Sequence, residues 1–144
     1  MIALTQIAGG PPNASTWGAA LKLVHDAFRR ELATIRREVA SSKPIVGAQL
    51  KVNCLTACQG LRFHHTSEDN GTFPMLRERF PELTPTLDRL GEEHERIAEV
   101  LARLQRTVER GDAATLRADV DRLIDELEAH LAYEEEQLIP FLDA

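Results

Sequence analysis

The sequence predicts an all-α chain folded as an antiparallel, up-down-up-down four-helix bundle, and three observations carry that expectation. Apolar residues recur at three- and four-residue spacing in four long segments, which places them along one face of an α-helix. Ala, Leu, Glu and Arg abound, whereas aromatic residues are few and no stretch alternates β-branched residues at period two, so strands find no support. Short breaks rich in Gly, Pro, Ser and Asp separate the segments, as in hairpins of adjacent helices.

The elements follow in order. After a loose leader over residues 1–16 containing Gly-Gly-Pro-Pro, Ser15 or Thr16 caps a first helix that runs to about Ala40 on Leu21, His25, Phe28, Leu32, Ile35 and Val39. Ser41 to Gly47, with Pro44, is the turn. A second helix, about Ala48 to Asp69, carries Leu50, Cys54, Ala57, Leu61, His64 and Glu68, and is expected to stop at Asn70-Gly71. Phe73 to Phe80 connects. Thr84 as cap, followed by Pro85, opens a third helix on Leu87, Leu90, His94, Ile97, Leu101, Leu104 and Val108, ending at Gly111. Asp112 caps a fourth, expected to reach about Leu138 on Leu116, Val120, Leu123, Leu127, His130 and Glu134 before Pro140 closes it. Residues 17–144 thus form one domain.

A length of 144 residues suffices for a core without disulfide staples. The net charge of −6, from 17 basic and 23 acidic residues interspersed along the helices, is that of a solvated exterior and argues against a nucleic-acid or anionic-membrane surface. No apolar run approaches the roughly 18 residues of a membrane span, and the N-terminal residues lack the basic start and continuous apolar segment of an export signal. A cytoplasmic location is expected. Cys54 and Cys58, four apart on a helix, are read as free thiols packed in the core.

The chemistry sits inside the apolar seams. Each helix carries a histidine where Leu or Ile is expected, and the second and fourth add a glutamate one turn later. The chain also repeats. Leu21-xxx-His25-Asp-x-Phe28-xxx-Leu32 lies in register with Leu90-xxx-His94-Glu-x-Ile97-xxx-Leu101, and His64-xxx-Glu68-Asp69-xxx-Phe73-Pro74-x-Leu76 with His130-xxx-Glu134-Glu135-xxx-Ile139-Pro140-x-Leu142. Two hairpins related by a pseudo-twofold account for this pattern. Within an antiparallel hairpin two residues meet when they are equally far from the turn. The midpoint of 25 and 64 is 44.5, inside the first turn, and that of 94 and 130 is 112, at the Gly111-Asp112 break. At about 1.5 Å rise per residue, all six side chains therefore converge on one slice of the interior.

Two carboxylates and four imidazoles buried without partners would each cost several kcal/mol. A metal removes that cost. Imidazole with carboxylate suits iron, manganese or zinc, and six ligands are too many for one tetrahedral zinc but suit two ions. Glu68 and Glu134 are the natural bridges, with two histidines per metal and a solvent-derived oxo or hydroxo group as the third bridge.

These residues resemble the hemerythrin family, in particular its HHE subgroup, whose pattern is a lone His, His-xxx-Glu, a lone His and His-xxx-Glu again. The resemblance spans about Leu21 to Leu142, including Phe73-Pro74 and Ile139-Pro140. It implies a non-haem di-iron centre that takes dioxygen, nitric oxide or peroxide, with His25, His64, Glu68, His94, His130 and Glu134 as ligands. There is one departure. The oxygen carriers of the family have a fifth histidine one turn after that of the third helix, where this sequence has Ala98. One ion is thus a ligand short, which moves the expectation from oxygen transport to a more open site. Three functions follow: a module binding dioxygen or nitric oxide for sensing, storage or transfer; an enzyme acting on peroxide or as an oxidase; or an iron donor, like the proteins linked to repair of iron centres but without their N-terminal cysteine-bearing domain.

Four neighbours of the ligands are further candidates, and Trp17 is considered with them. His65 falls on the mixed, partly exposed row Lys51, Leu55, Cys58 and Arg62 and is read as beside the ligands or at the surface in preference to a ligand. Asp69 and Glu135 follow the two glutamates, either orienting ligands or lying on a solvated face. Tyr133 hydrogen-bonds at the site or packs in the bundle wall. Trp17, two turns before His25, lids the open end or caps the core.

Overall fold

The structure, a computed structural model, describes residues 16–41 and 47–144. The leader expected over residues 1–16 lies outside the described residues apart from Thr16, and so do residues 42–46 of the first turn. Helix α1 spans Trp17–Ser41 and α2 spans Ala48–Ser67; a π-helical turn, Glu68–Thr72, leads into α3, Phe73–Arg79. A 3-10 turn, Pro81–Leu83, precedes α4, Thr84–Arg110, and α5 covers Ala113–Leu142. Helix α1 packs on α2 and α5, and α4 packs on the same two, which gives the four-helix bundle that the sequence predicts.

Local chemistry explains the boundaries. The Thr16 hydroxyl accepts from Ala19 N–H at 3.0 Å, and the Asp112 carboxylate from Ala114 N–H at 3.2 Å; each satisfies an amide that a helix start leaves unpaired. Gly111 ends α4 at φ +76°, in the left-handed region open to a residue without Cβ.

Three sequence expectations are corrected. Asn70-Gly71 does not stop the second helix, because the backbone widens into the π-turn, Phe73 N–H reaching the carbonyl of Glu68, and continues helically. Running on buries Phe73 and Leu76, which outweighs the glycine's preference for a break. Pro140 does not end the last helix either, which carries it inside and runs to Leu142. Pro140 and Glu136, whose carbonyl loses its donor, are both exposed, so water meets the unpaired group cheaply. Thr84 is no cap: its hydroxyl donates to the carbonyl of Pro81 at 2.8 Å, and Leu83 precedes the helix without a side-chain cap.

The core lies along the bundle axis and is divided by a polar layer. Toward the two hairpin turns, Phe28, Ile35, Leu61, Leu101, Leu116 and Leu123 belong to one large apolar cluster. At the opposite end Phe73, Leu76, Leu87, Leu90 and Leu138 form a smaller one, and Trp17 and Ile139 pack on Ala20 and Leu21. That end is tied together twice. Gly18 N–H donates to Asp143 Oδ1 at 2.8 Å, joining the start of α1 to the end of α5, and Arg77 donates to Asp88 at 2.9 Å, joining α3 to α4. Among the described residues no helix is long and apolar enough to cross a membrane.

Candidate metal centre

The polar layer between the two apolar clusters contains the six residues that the sequence singles out. His25, Glu68 and Glu134 are 0% exposed, and His64, His94 and His130 are buried. Each helix brings its residue inward because the flanking positions of the same seam are apolar. Leu21 and Phe28 bracket His25, Leu61 precedes His64, Leu90 and Ile97 bracket His94, and Leu127 and Leu138 bracket His130 and Glu134. The donor atoms fall into two groups. His25, His64, Glu68 and Glu134 form one, and His65, Glu68, His94 and His130 the other, with the atoms of each group within 4.8 Å of one another.

Both glutamates reach across the two groups. Glu68 Oε1 lies 3.5 Å from His64 Nε2 and 3.3 Å from His94 Nε2. Glu134 Oε1 lies 3.5 Å from His25 Nε2, and its Oε2 lies 3.2 Å from His130 Nε2. The Nε2 atoms of His25 and His64 are 3.3 Å apart.

Carboxylates behind the rings aim three of the imidazoles. His25 Nδ1 donates to Glu135 at 2.8 Å, His94 Nδ1 to Asp69 at 2.8 Å, and His130 Nδ1 to Glu93 at 2.8 Å. An ionised carboxylate only accepts, so Nδ1 carries a proton and Nε2 faces the layer. Arg29 holds Glu135 in turn, at 2.7 Å. Asp69 and Glu135 serve each other's hairpin, as the pseudo-twofold requires. Glu93 escaped the sequence reading. One residue before His94 it looks like the outer face, yet it is buried, and the midpoint of 93 and 130 falls at 111.5, on the second turn; the equal-height test applied to acids would have found it.

Within the layer, burial and the neighbouring charges pull the groups in opposite directions. Burial, with the charge of Glu134 beside it, pushes the Glu68 carboxyl well above the usual range. Burial works on Glu134 the same way, but Glu68 and the imidazoles of His130 and His25 outweigh it and hold that carboxyl well below the usual range. Burial lowers His64 to about 3 and, with His94 and His130 adding to it, holds His65 well below the ordinary imidazole value. In His130 burial is overcome by Glu134 and Glu93, which raise it to about 9; in His25 it is overcome by Glu134 and Glu135. Both oxygens of Glu68 and of Glu134, together with Nε2 of His94 and of His130, are buried with no hydrogen-bond partner among the described residues. Buried polar atoms are ordinarily satisfied. The donor set, two carboxylates and imidazole nitrogens facing one another, fits divalent metal ions.

The model of the hemerythrin HHE cation binding domain matches residues 19–142. The chain belongs to the hemerythrin HHE family. No curated protein and no solved structure matches it significantly. Family and buried cluster together make this a metal-binding, hemerythrin-like protein.

The remaining candidates of this hemerythrin-like chain fall in different places. His65, read from its row as beside the ligands or at the surface, is buried and stacks on His94 with ring centroids 4.0 Å apart and planes 12° from parallel. Tyr133 packs in the wall with the Phe73–Leu138 cluster, the guanidinium of Arg89 lying 3.8 Å from its ring centre. Trp17 caps the core at the end away from the hairpin turns, against Ala20 and Leu21. Cys54 and Cys58 are buried free thiols in the large cluster. A cleft of about 360 Å³ between α2 and α4, lined by His65, Asp69, His94 and Ala98 among others, reaches the layer from the side.

Proposed function

We propose that this hemerythrin-like chain holds two iron ions and uses them to bind a small diatomic ligand, dioxygen or nitric oxide, for sensing, storage or transfer. One observation carries the reading: two groups of buried donor atoms share Glu68, while all four oxygens of Glu68 and Glu134 lack a hydrogen-bond partner among the described residues. Such a set holds a pair of ions better than one. His25 and His64 would face one ion, His94 and His130 the other, and Glu68 and Glu134 both. Bound there, iron would supply a change of oxidation state and a coordination position for the diatomic ligand.

The chain's own residues do the rest. Glu135, Asp69 and Glu93 fix the tautomer of three imidazoles and keep their Nε2 lone pairs inward. Phe28, at 5.3 Å from the His64 ring centre, and Phe73, stacked at 5.4 Å on His94, hold those rings in place and exclude bulk water. The cleft beside Ala98 gives a small molecule a route to the layer.

The test is anaerobic loading with ferrous iron followed by titration with dioxygen and, separately, nitric oxide. Two irons per chain and a visible charge-transfer band that disappears when the gas is removed are expected, and His64→Ala should lose the iron. Irreversible oxidation with turnover of added peroxide would replace binding by catalysis, and fewer than two irons per chain would overturn the dinuclear reading.

A further inference from the structure

We infer that His65 is a fifth histidine ligand, so that the ion facing His94 and His130 carries three imidazoles while the ion facing His25 and His64 carries two. The inference rests on the dinuclear reading above and concerns how its two ions differ. His65 Nε2 is buried without a hydrogen-bond partner among the described residues, and its donor atom lies within 4.8 Å of those of Glu68, His94 and His130. Stacking on His94 satisfies the ring's face but not that nitrogen, and a buried nitrogen without a partner is costly to keep.

The pseudo-twofold supplies an independent comparison. Pairing His64 with His130 pairs His65 with Leu131, which is 0% exposed and belongs to the large apolar cluster. Packing at this position is therefore met by leucine in one hairpin. A histidine in the other adds nothing to packing that leucine does not give, and it adds a donor. Helix α4 provides none on that side, since Ala98 lines the cleft shared with His65 and His94. With His65 included, all five histidines of the sequence belong to the site.

The symmetry breaks a second time, and in the same direction. His130 has Glu93 behind its Nδ1, but the residue paired with Glu93 is Val24, and His64 Nδ1 is buried without a hydrogen-bond partner among the described residues. The three-imidazole group is thus also the one with both bundle imidazoles anchored, through Asp69 and Glu93. The two-imidazole group keeps one imidazole, His64, without such an anchor among the described residues.

The experiment uses cobalt(II) as the probe, loaded anaerobically into metal-free full-length chain carrying nitrogen-15 histidine. Two cobalt ions per chain and five contact-shifted imidazole N–H signals are expected. In His65→Leu, which copies the residue of the other hairpin, four signals should remain and one of the two cobalt ions should bind at least about tenfold more weakly, with the unfolding midpoint of the metal-free protein held as the control for folding. Four shifted signals in the wild-type protein overturn the inference without recourse to any variant, and so does a His65→Leu protein that takes two cobalt ions with unchanged affinity. Fewer than two cobalt ions in the wild type overturns the dinuclear reading itself, and this inference with it.

Discussion

At the scale of single residues, what matters is the nitrogen that faces away from the ions. Glu93 is the clearest case, because its carboxylate sits 2.8 Å from His130 Nδ1 while Arg89 holds its other oxygen at 3.1 Å. Glu93→Gln keeps the shape but removes the charge that stabilises the aimed imidazole. Metal affinity is expected to fall about tenfold to a hundredfold, measured by competition with a chelator, while the exposed neighbour change Glu92→Gln leaves it unaltered. The six seam residues were legible because polar groups at apolar positions break a pattern. Glu93 was not, and His65 only in part, since each lies one position off the seam; Glu93 reads as outer face by helical period alone, and His65 falls on a mixed row. What buries them is the neighbouring helix, which a single-helix pattern does not contain.

At the scale of elements, the two hairpins carry the same signature but different backbones. Both run from a His-xxx-Glu pair into an aromatic or aliphatic residue and a proline, yet only the first widens into a π-turn, starting at Glu68 itself. Such turns often sit at functional positions. Two glycines separate the readings. Gly71 has no positive φ and open space where a Cβ would go, so Gly71→Ala should stabilise the protein by about 0.5–1 kcal/mol. Gly111, at φ +76°, should lose about 1 kcal/mol on the same change. Urea unfolding midpoints check both, and a loss at Gly71 would restore the terminator that the sequence suggested. Gly111 was legible because Asp112 follows as the next cap; Asn70-Gly71 misled because the gain lies downstream, in the burial of Phe73 and Leu76.

At the scale of the whole molecule, the polar layer leaves the larger share of the core on the side of the hairpin turns, and that share contains both thiols. Burial pushes Cys54 up to about 12 and, against a lowering from Arg62, Cys58 up to about 11. The fold therefore prefers the neutral thiols, whereas the unfolded chain ionises near 9. Their contribution to stability is fully present below pH 9 and is lost as pH rises toward 11 to 12. The urea midpoint should fall between pH 8 and pH 10.5, and Cys54→Ala with Cys58→Ala should flatten that decline; an unchanged slope would mean the thiols are not held neutral. One contact at the other end reaches further. Because Gly18 and Asp143 close α1 onto α5 as Arg77 and Asp88 close α3 onto α4, the bundle is in effect a ring with one nick. Moving the nick, by splicing Ala144 to Thr16 and opening the chain between Phe80 and Thr84, should exchange the order of the hairpins while each helix keeps its neighbours, and a helical circular-dichroism spectrum with a cooperative urea transition is the expected outcome.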